Sequence, residues 1–184
     1  MKKLLVLMLV LVLCMTGISA AVGESLEKVN FLLNWTIAAD HAPYFVALKN
    51  GWYEEAGLDL NVIIGKGSGF SVTSIDTEMA DIAISDAPVV FKFRQDGAKV
   101  KIIGIIFDKH PNSMFFFDDS GIKQPSDIVG KTVAVPATDG HKVMWPAFAA
   151  MIGADPESVE FVNIEPTAKV SALASRNADV VFEL

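Results

Sequence analysis

KVNFLLNWTIAADHAPYFVALKNGWYEEAGLDLNVII, from Lys28 to Ile64, is the stretch that decides the fold. Its opening run, Lys28 to Leu33, is apolar and of strand length. A helix-length segment follows from Ala42 to Glu55, with Pro43 where a helical N–H would lack a partner and Gly57 where a helix stops. Leu58 to Ile64 is a second strand-length run. Strands alternating with helices in this way define an α/β protein.

The alternation continues to the end of the chain. Further strands are predicted at Ile82–Ile84, Lys101–Phe107, Met114–Phe117, Thr132–Val135, Val159–Val162 and Val180–Phe182, and further helices at Ser71–Glu78, Ala87–Gln95, Gly140–Met151 and Thr167–Ser175. The strands are short apolar runs, as expected where helices cover both faces of a sheet. Pro146 falls inside the Gly140–Met151 segment and should kink it or delay its start. The polar, turn-rich passage Asp118-Asp119-Ser120-Gly121, followed by Gln124-Pro125, reads as a lobe boundary. It places a first lobe at 22–117 and a second at 118–184.

Ahead of these elements, Met1-Lys2-Lys3 and the apolar Leu4–Leu13, followed by Gly17, Ser19, Ala20 and Ala21, form a secretory signal over residues 1–21. Cys14 is the only cysteine in the chain. It lies within that signal, so no internal disulfide is expected after cleavage; lipidation at Cys14 would tether the protein to the membrane. The expected destination is the periplasm or the outer face of the cytoplasmic membrane. A formal charge of −7 leaves no basic surplus for gripping nucleic acid.

Polar residues gather where strands end, which is where α/β sheets take ligands. After the first strand come Asn34 and Trp35, then His41 and Tyr44 at the start of the first helix. Trp35 offers either a stacking face for a flat ligand or simple packing, and His41 either a ligand contact or local backbone bonds. Gly65-Lys66-Gly67-Ser68-Gly69-Phe70-Ser71 is a glycine-rich strand-to-helix turn. The N–H groups of Gly67, Ser68 and Gly69 would favour an anionic or carbonyl group. The turn matches neither the P-loop nor the dinucleotide fingerprint. Ser85-Asp86 and Thr138-Asp139-Gly140 repeat the pattern, with both aspartates open to service as helix caps or as ligand contacts. Glu183 closes the set. No nucleophile elbow, zinc-protease motif or metal-ligand cluster is present, so no catalytic residue, cofactor or metal is expected.

Leu33-Asn34-Trp35, the stretch from His41 to Leu60, the glycine-rich turn, Ala80-Asp81-Ile82-Ala83-Ile84-Ser85-Asp86 and the stretch from Ser120 to Val135 together resemble the NMT1/THI5-like (SsuA/THI5-like) group of ABC-transporter substrate-binding proteins. The resemblance implies a type II periplasmic-binding-protein fold, with two α/β lobes closing over a ligand. It also implies delivery of a small nutrient to a membrane permease, with no chemistry performed by the receptor. Family members continue past the Ala178–Phe182 strand, so the second lobe is expected to be incomplete here. The Asn34-Trp35 pair with His41 is most similar to the branch that takes thiamine-pyrimidine precursors; sulfonate and nitrate receptors share the scaffold. Expected partners are therefore a small-molecule ligand and ABC permease subunits, with the chain a monomer and no nucleic acid involved. Two alternatives accompany this reading: a pyrimidine-synthesis enzyme of the same fold, and the ligand-sensing module of a signalling receptor.

Overall fold

A computed structural model describes residues 25–111 and 113–183. The expected secretory signal over residues 1–21, with Cys14, lies outside the described residues. Two sheets organise the chain. The first contains β1 (Glu27–Leu32), β2 (Leu58–Ile63) and β3 (Ile82–Ala83) in the order β2-β1-β3, all parallel. The second contains β4 (Ser113–Phe115), β5 (Thr132–Val135), β6 (Glu160–Asn163) and β7 (Val180–Glu183) in the order β4-β7-β5-β6. Only β4, antiparallel to β7, breaks its parallel pattern. A division after Phe117 leaves β4 with the first half in sequence, while its hydrogen bonds go to the second sheet.

The helices are α1 (Ala42–Lys49), α2 (Trp52–Glu55), α3 (Ser68–Asp76), α4 (Ala87–Gln95), α5 (Gly140–Ile152) and α6 (Lys169–Ala174). The single helix expected from Ala42 to Glu55 is two. Gly51 adopts φ +74°, the left-handed conformation that ends a helix and that glycine reaches at no steric cost, and the chain restarts at Trp52. Helix α5 begins at Gly140 and runs through Pro146, which is exposed, so the predicted delay does not occur.

The expected strand over Lys101–Phe107 is absent. Its apolar composition suits a strand, but strand geometry needs a neighbour to take its N–H and C=O groups. The run instead stands apart from the free edge of β3, with Ile103 81% and Ile105 70% exposed.

Apolar burial is concentrated under the second sheet. Ile122, Ile128, Val133, Val135, Trp145, Ala149, Val180 and Phe182 form one cluster. A second cluster joins the halves: Val72, Val89, Val90 and Val100 from the first receive Val143 and Met144 of α5. That contact sets the first sheet's strand ends against the N-terminus of α5.

Candidate functional site

Six chain segments meet at these strand ends. The loop after β1 brings Asn34 and Trp35, the turn before α3 brings Gly67 and Ser68, and the start of α4 brings Asp86. From the other half come Asp139, Gly140 and His141 at the start of α5, Lys169 at the start of α6, and Glu183 at the end of β7. Together they line one cleft of about 40 Å³. Eight of the residues singled out in the sequence thus converge across the two halves: Asn34, Trp35, Gly67, Ser68, Asp86, Asp139, Gly140 and Glu183.

Lys169 dominates the electrostatics. It is 3% exposed, and its ammonium lies 2.9 Å from Asp139 Oδ2 and 3.6 Å from Glu183 Oε2. It also donates to the Phe182 carbonyl at 2.8 Å and sits 4.2 Å from the ring centre of Trp35. Asp139 caps α5 by accepting from the His141 backbone N–H at 2.9 Å, and its Oδ1 lies 2.7 Å from His141 Nδ1. Burial alone would raise the Asp139 carboxyl; the hydrogen bond from His141 and the Lys169 ammonium outweigh it and hold the pKa at about 2. The His141 ring in turn stacks on Phe182, centres 4.4 Å apart and nearly parallel.

Asp86 occupies the N-cap position of α4 but its side chain does not cap the helix. Its Oδ2 accepts from Ser68 Oγ at 2.8 Å, and its Oδ1 is 3.2 Å from His110 Nε2. Three carboxylates, Asp86, Asp139 and Glu183, therefore share the cleft with one ammonium, and the fixed charge leans acidic.

The glycine-rich turn serves a different end from the anion cradle its composition suggests. Gly67 N–H donates to the Asn34 carbonyl at 2.8 Å and Gly69 N–H to the Thr138 carbonyl at 3.1 Å, while Thr138 Oγ1 donates to the Lys66 carbonyl at 2.8 Å. The first of these bonds stays within the first half, and the other two join the halves. A Cβ on Gly67, which has φ +115°, would stand 2.6 Å from the Thr138 carbonyl oxygen. Glycine is thus required for the backbones to approach.

His41, Tyr44 and Ser85 lie on a neighbouring groove of about 640 Å³, which shares Asn34 and Asp86 with the cleft. His41 is buried; its Nδ1 accepts from the Ala38 N–H at 3.1 Å, and Nε2 lies 3.0 Å from Asn34 Oδ1, so the ring orients Asn34. Tyr44 packs edge-on against Phe31, and burial raises its hydroxyl pKa. Ser85 Oγ donates to the Ser68 carbonyl at 3.2 Å. The groove is the larger space, yet much of its wall is apolar and comes from β3, α4 and the run 99–111. The small cleft carries buried polar groups from both halves.

Sequence reasoning missed Lys169 altogether. A lysine after Pro166-Thr167-Ala168 looks like a solvated helix residue, and no local pattern reports its burial. Nor does local sequence report that His110 reaches Asp86 or that His141 orients Asp139. Among the described residues, no group of three or more His, Cys, Asp or Glu could hold a metal ion, and no helix is long and apolar enough to cross a membrane.

The architecture is that of the periplasmic binding proteins. The alkanesulfonate-binding protein SsuA of Xanthomonas axonopodis superposes with a TM-score of 0.64 at 11% identity, over 84% of this chain and 53% of that one. The family model described as NMT1/THI5 like matches residues 38–184, and the chain belongs to that family. The formylaminopyrimidine-binding protein of Halalkalibacterium halodurans is 26% identical over 179 residues, 97% of this chain and 54% of that protein. A 4-amino-5-hydroxymethyl-2-methylpyrimidine phosphate synthase of Legionella pneumophila is 27% identical over 144 residues, 78% of this chain and 45% of the enzyme. The chain thus spans about half the length of these relatives, one named a binding protein and the other a synthase.

Proposed function

We propose that the chain acts as an extracytoplasmic receptor of an ABC importer, capturing a flat, donor-rich nitrogen heterocycle of the aminopyrimidine class between its two halves and releasing it unchanged to the permease. The observation that carries this reading is the pairing of an aromatic face, Trp35, with three carboxylates against a single ammonium. Amino and protonated ring N–H groups are matched by such a surround, and a stacked ring adds roughly 0.5–1.5 kcal/mol beyond its buried area. A sulfonate or nitrate would bring negative charge to an already acidic, half-buried site, at a cost. The kinship with a formylaminopyrimidine-binding protein points the same way.

A cleft of about 40 Å³ has room for a few waters, whereas ligand pockets run to roughly 300–1,000 Å³. Uptake therefore requires the cleft to widen and then close on its guest, with binding energy drawn from contacts made only in the closed form. The test is calorimetric titration of the chain with 4-amino-5-aminomethyl-2-methylpyrimidine, N-formylated aminopyrimidine and methanesulfonate. Binding of the pyrimidines, abolished by Trp35→Ala, with the ligand recovered intact by mass spectrometry, is expected. Preferential sulfonate binding, or conversion of the ligand, would overturn the reading.

A further inference from the structure

Lys169 stands where a ligand would. Its ammonium covers the Trp35 face at 4.2 Å, the surface on which a flat ring would stack, and it is held there by Asp139, the Phe182 carbonyl and Glu183. The contact is lopsided. Asp139, Phe182, Glu183 and Lys169 all belong to the second half, and Trp35 alone belongs to the first. A cation over an aromatic face, desolvated and backed by two carboxylates, is the arrangement by which proteins hold cationic ligands. Here the protein supplies the cation itself.

We propose that Lys169 is the specificity-determining residue of the cleft: its ammonium is a resident competitor for the Trp35 face. A ligand gains that face only by bringing positively polarised N–H groups of its own to Asp139 and Glu183. The same ammonium draws the second half onto Trp35 when no ligand does so. This inference rests on the receptor reading above.

The chemistry of lysine suits the role. Its charge is a point at the end of a flexible four-carbon stem, so the ammonium can leave Trp35 while keeping Asp139, without being stranded as an unpaired buried charge. Arginine would be a stronger competitor, since its planar guanidinium stacks on indole and holds a carboxylate through two donors. Neutral side chains would not compete. A ligand without donors, or one carrying negative charge, would displace an ion pair and replace nothing.

The substitutions Lys169→Met and Lys169→Arg, with 4-amino-5-aminomethyl-2-methylpyrimidine as probe, separate this role from its rivals. Resident competition predicts opposite signs: about tenfold tighter binding in Lys169→Met and at least fivefold weaker binding in Lys169→Arg. Weaker or unchanged binding in Lys169→Met makes Lys169 a direct contact or a purely structural residue and overturns the proposal. Lys169→Met leaves Asp139 without its ammonium, and should that variant fail to fold, proton NMR of the wild-type chain decides. The ring current of Trp35 should shift the Lys169 ε-protons upfield, and saturation with the probe should abolish the shift. A shift that persists in the bound form overturns the proposal.

Should no probe bind the wild type or any folded variant, the receptor reading fails by itself. The competitor idea is then judged on closure, by the distance between spin labels at Glu55→Cys and Asn177→Cys in a Cys14→Ser background. Lengthening on Lys169→Met, with Lys169→Arg no longer than wild type, supports a cationic closing contact; an unchanged distance in Lys169→Met, or lengthening in Lys169→Arg, overturns it.

Discussion

The two sheets carry the same strand-and-helix pattern and end in different conditions. The second has four strands, and its side chains close over a core in which Ile128, Val133, Val135, Ala149 and Val180 are fully buried. The first has three, with the free edge of β3 facing a groove and the apolar run 101–107 beyond it exposed. The difference shows that composition recruits a strand and hydrogen-bonding neighbours complete it. Ile103 and Val133 have similar sequence surroundings; only Val133 has a paired strand on each side.

The largest expected effect comes from breaking the better-packed half. Trp145 is 3% exposed, packs on Phe161 and donates its indole N–H to the Pro156 carbonyl at 2.7 Å. Trp145→Ala should cost about 3–5 kcal/mol in urea-induced unfolding, while Ile103→Ala in the exposed run should change stability by no more than about 0.5 kcal/mol. Equal losses at the two sites would erase the contrast drawn between the halves.

A smaller effect should appear in acid. The folded pKa of Asp139, about 2, lies below its ordinary 3.8, so the unfolded chain binds the proton more readily. The resulting stability, about 2 kcal/mol, is present above pH 4 and is lost as pH falls from 4 towards 2. Unfolding free energies measured over that range should show a steeper decline for the wild type than for Asp139→Asn. Parallel slopes would mean that the pairing with Lys169 and His141 does not hold in solution.

The smallest effect on stability, and the sharpest test of how the halves meet, is Gly67→Ala. With φ +115° and the Thr138 oxygen in the way, the added methyl should cost about 1–2 kcal/mol by backbone strain and displacement of the turn. Affinity for the pyrimidine probe should fall about tenfold with it. Gly104→Ala, which meets open space in the exposed run, should leave both unchanged.

Much of this architecture is legible in the sequence because it is written locally. The bounds of α4, Ala87–Gln95, follow from Pro88 in its first turn and Gly97 after its end. Asn34, Trp35, Asp86, Asp139 and Glu183 are visible because each follows or ends a recognisable strand. Lys169 is not visible, since its burial depends on the β1 loop and the start of α5 arriving from far along the chain. The glycine-rich turn was legible as a turn, but its partner, the Thr138 carbonyl, is a backbone group about seventy residues away. The run 101–107 fails to form a strand for the converse reason: strand propensity is a local quantity and strand pairing is not.

Beside the apolar contacts of α5 and the Thr138 hydroxyl on the Lys66 carbonyl, the seam between the halves holds a bond made main chain to main chain, from the Gly69 N–H to the Thr138 carbonyl. Bonds of that kind are indifferent to most side-chain substitution nearby. The walls of the cleft can therefore be re-lined, one residue at a time, while that bond between the halves stays in register.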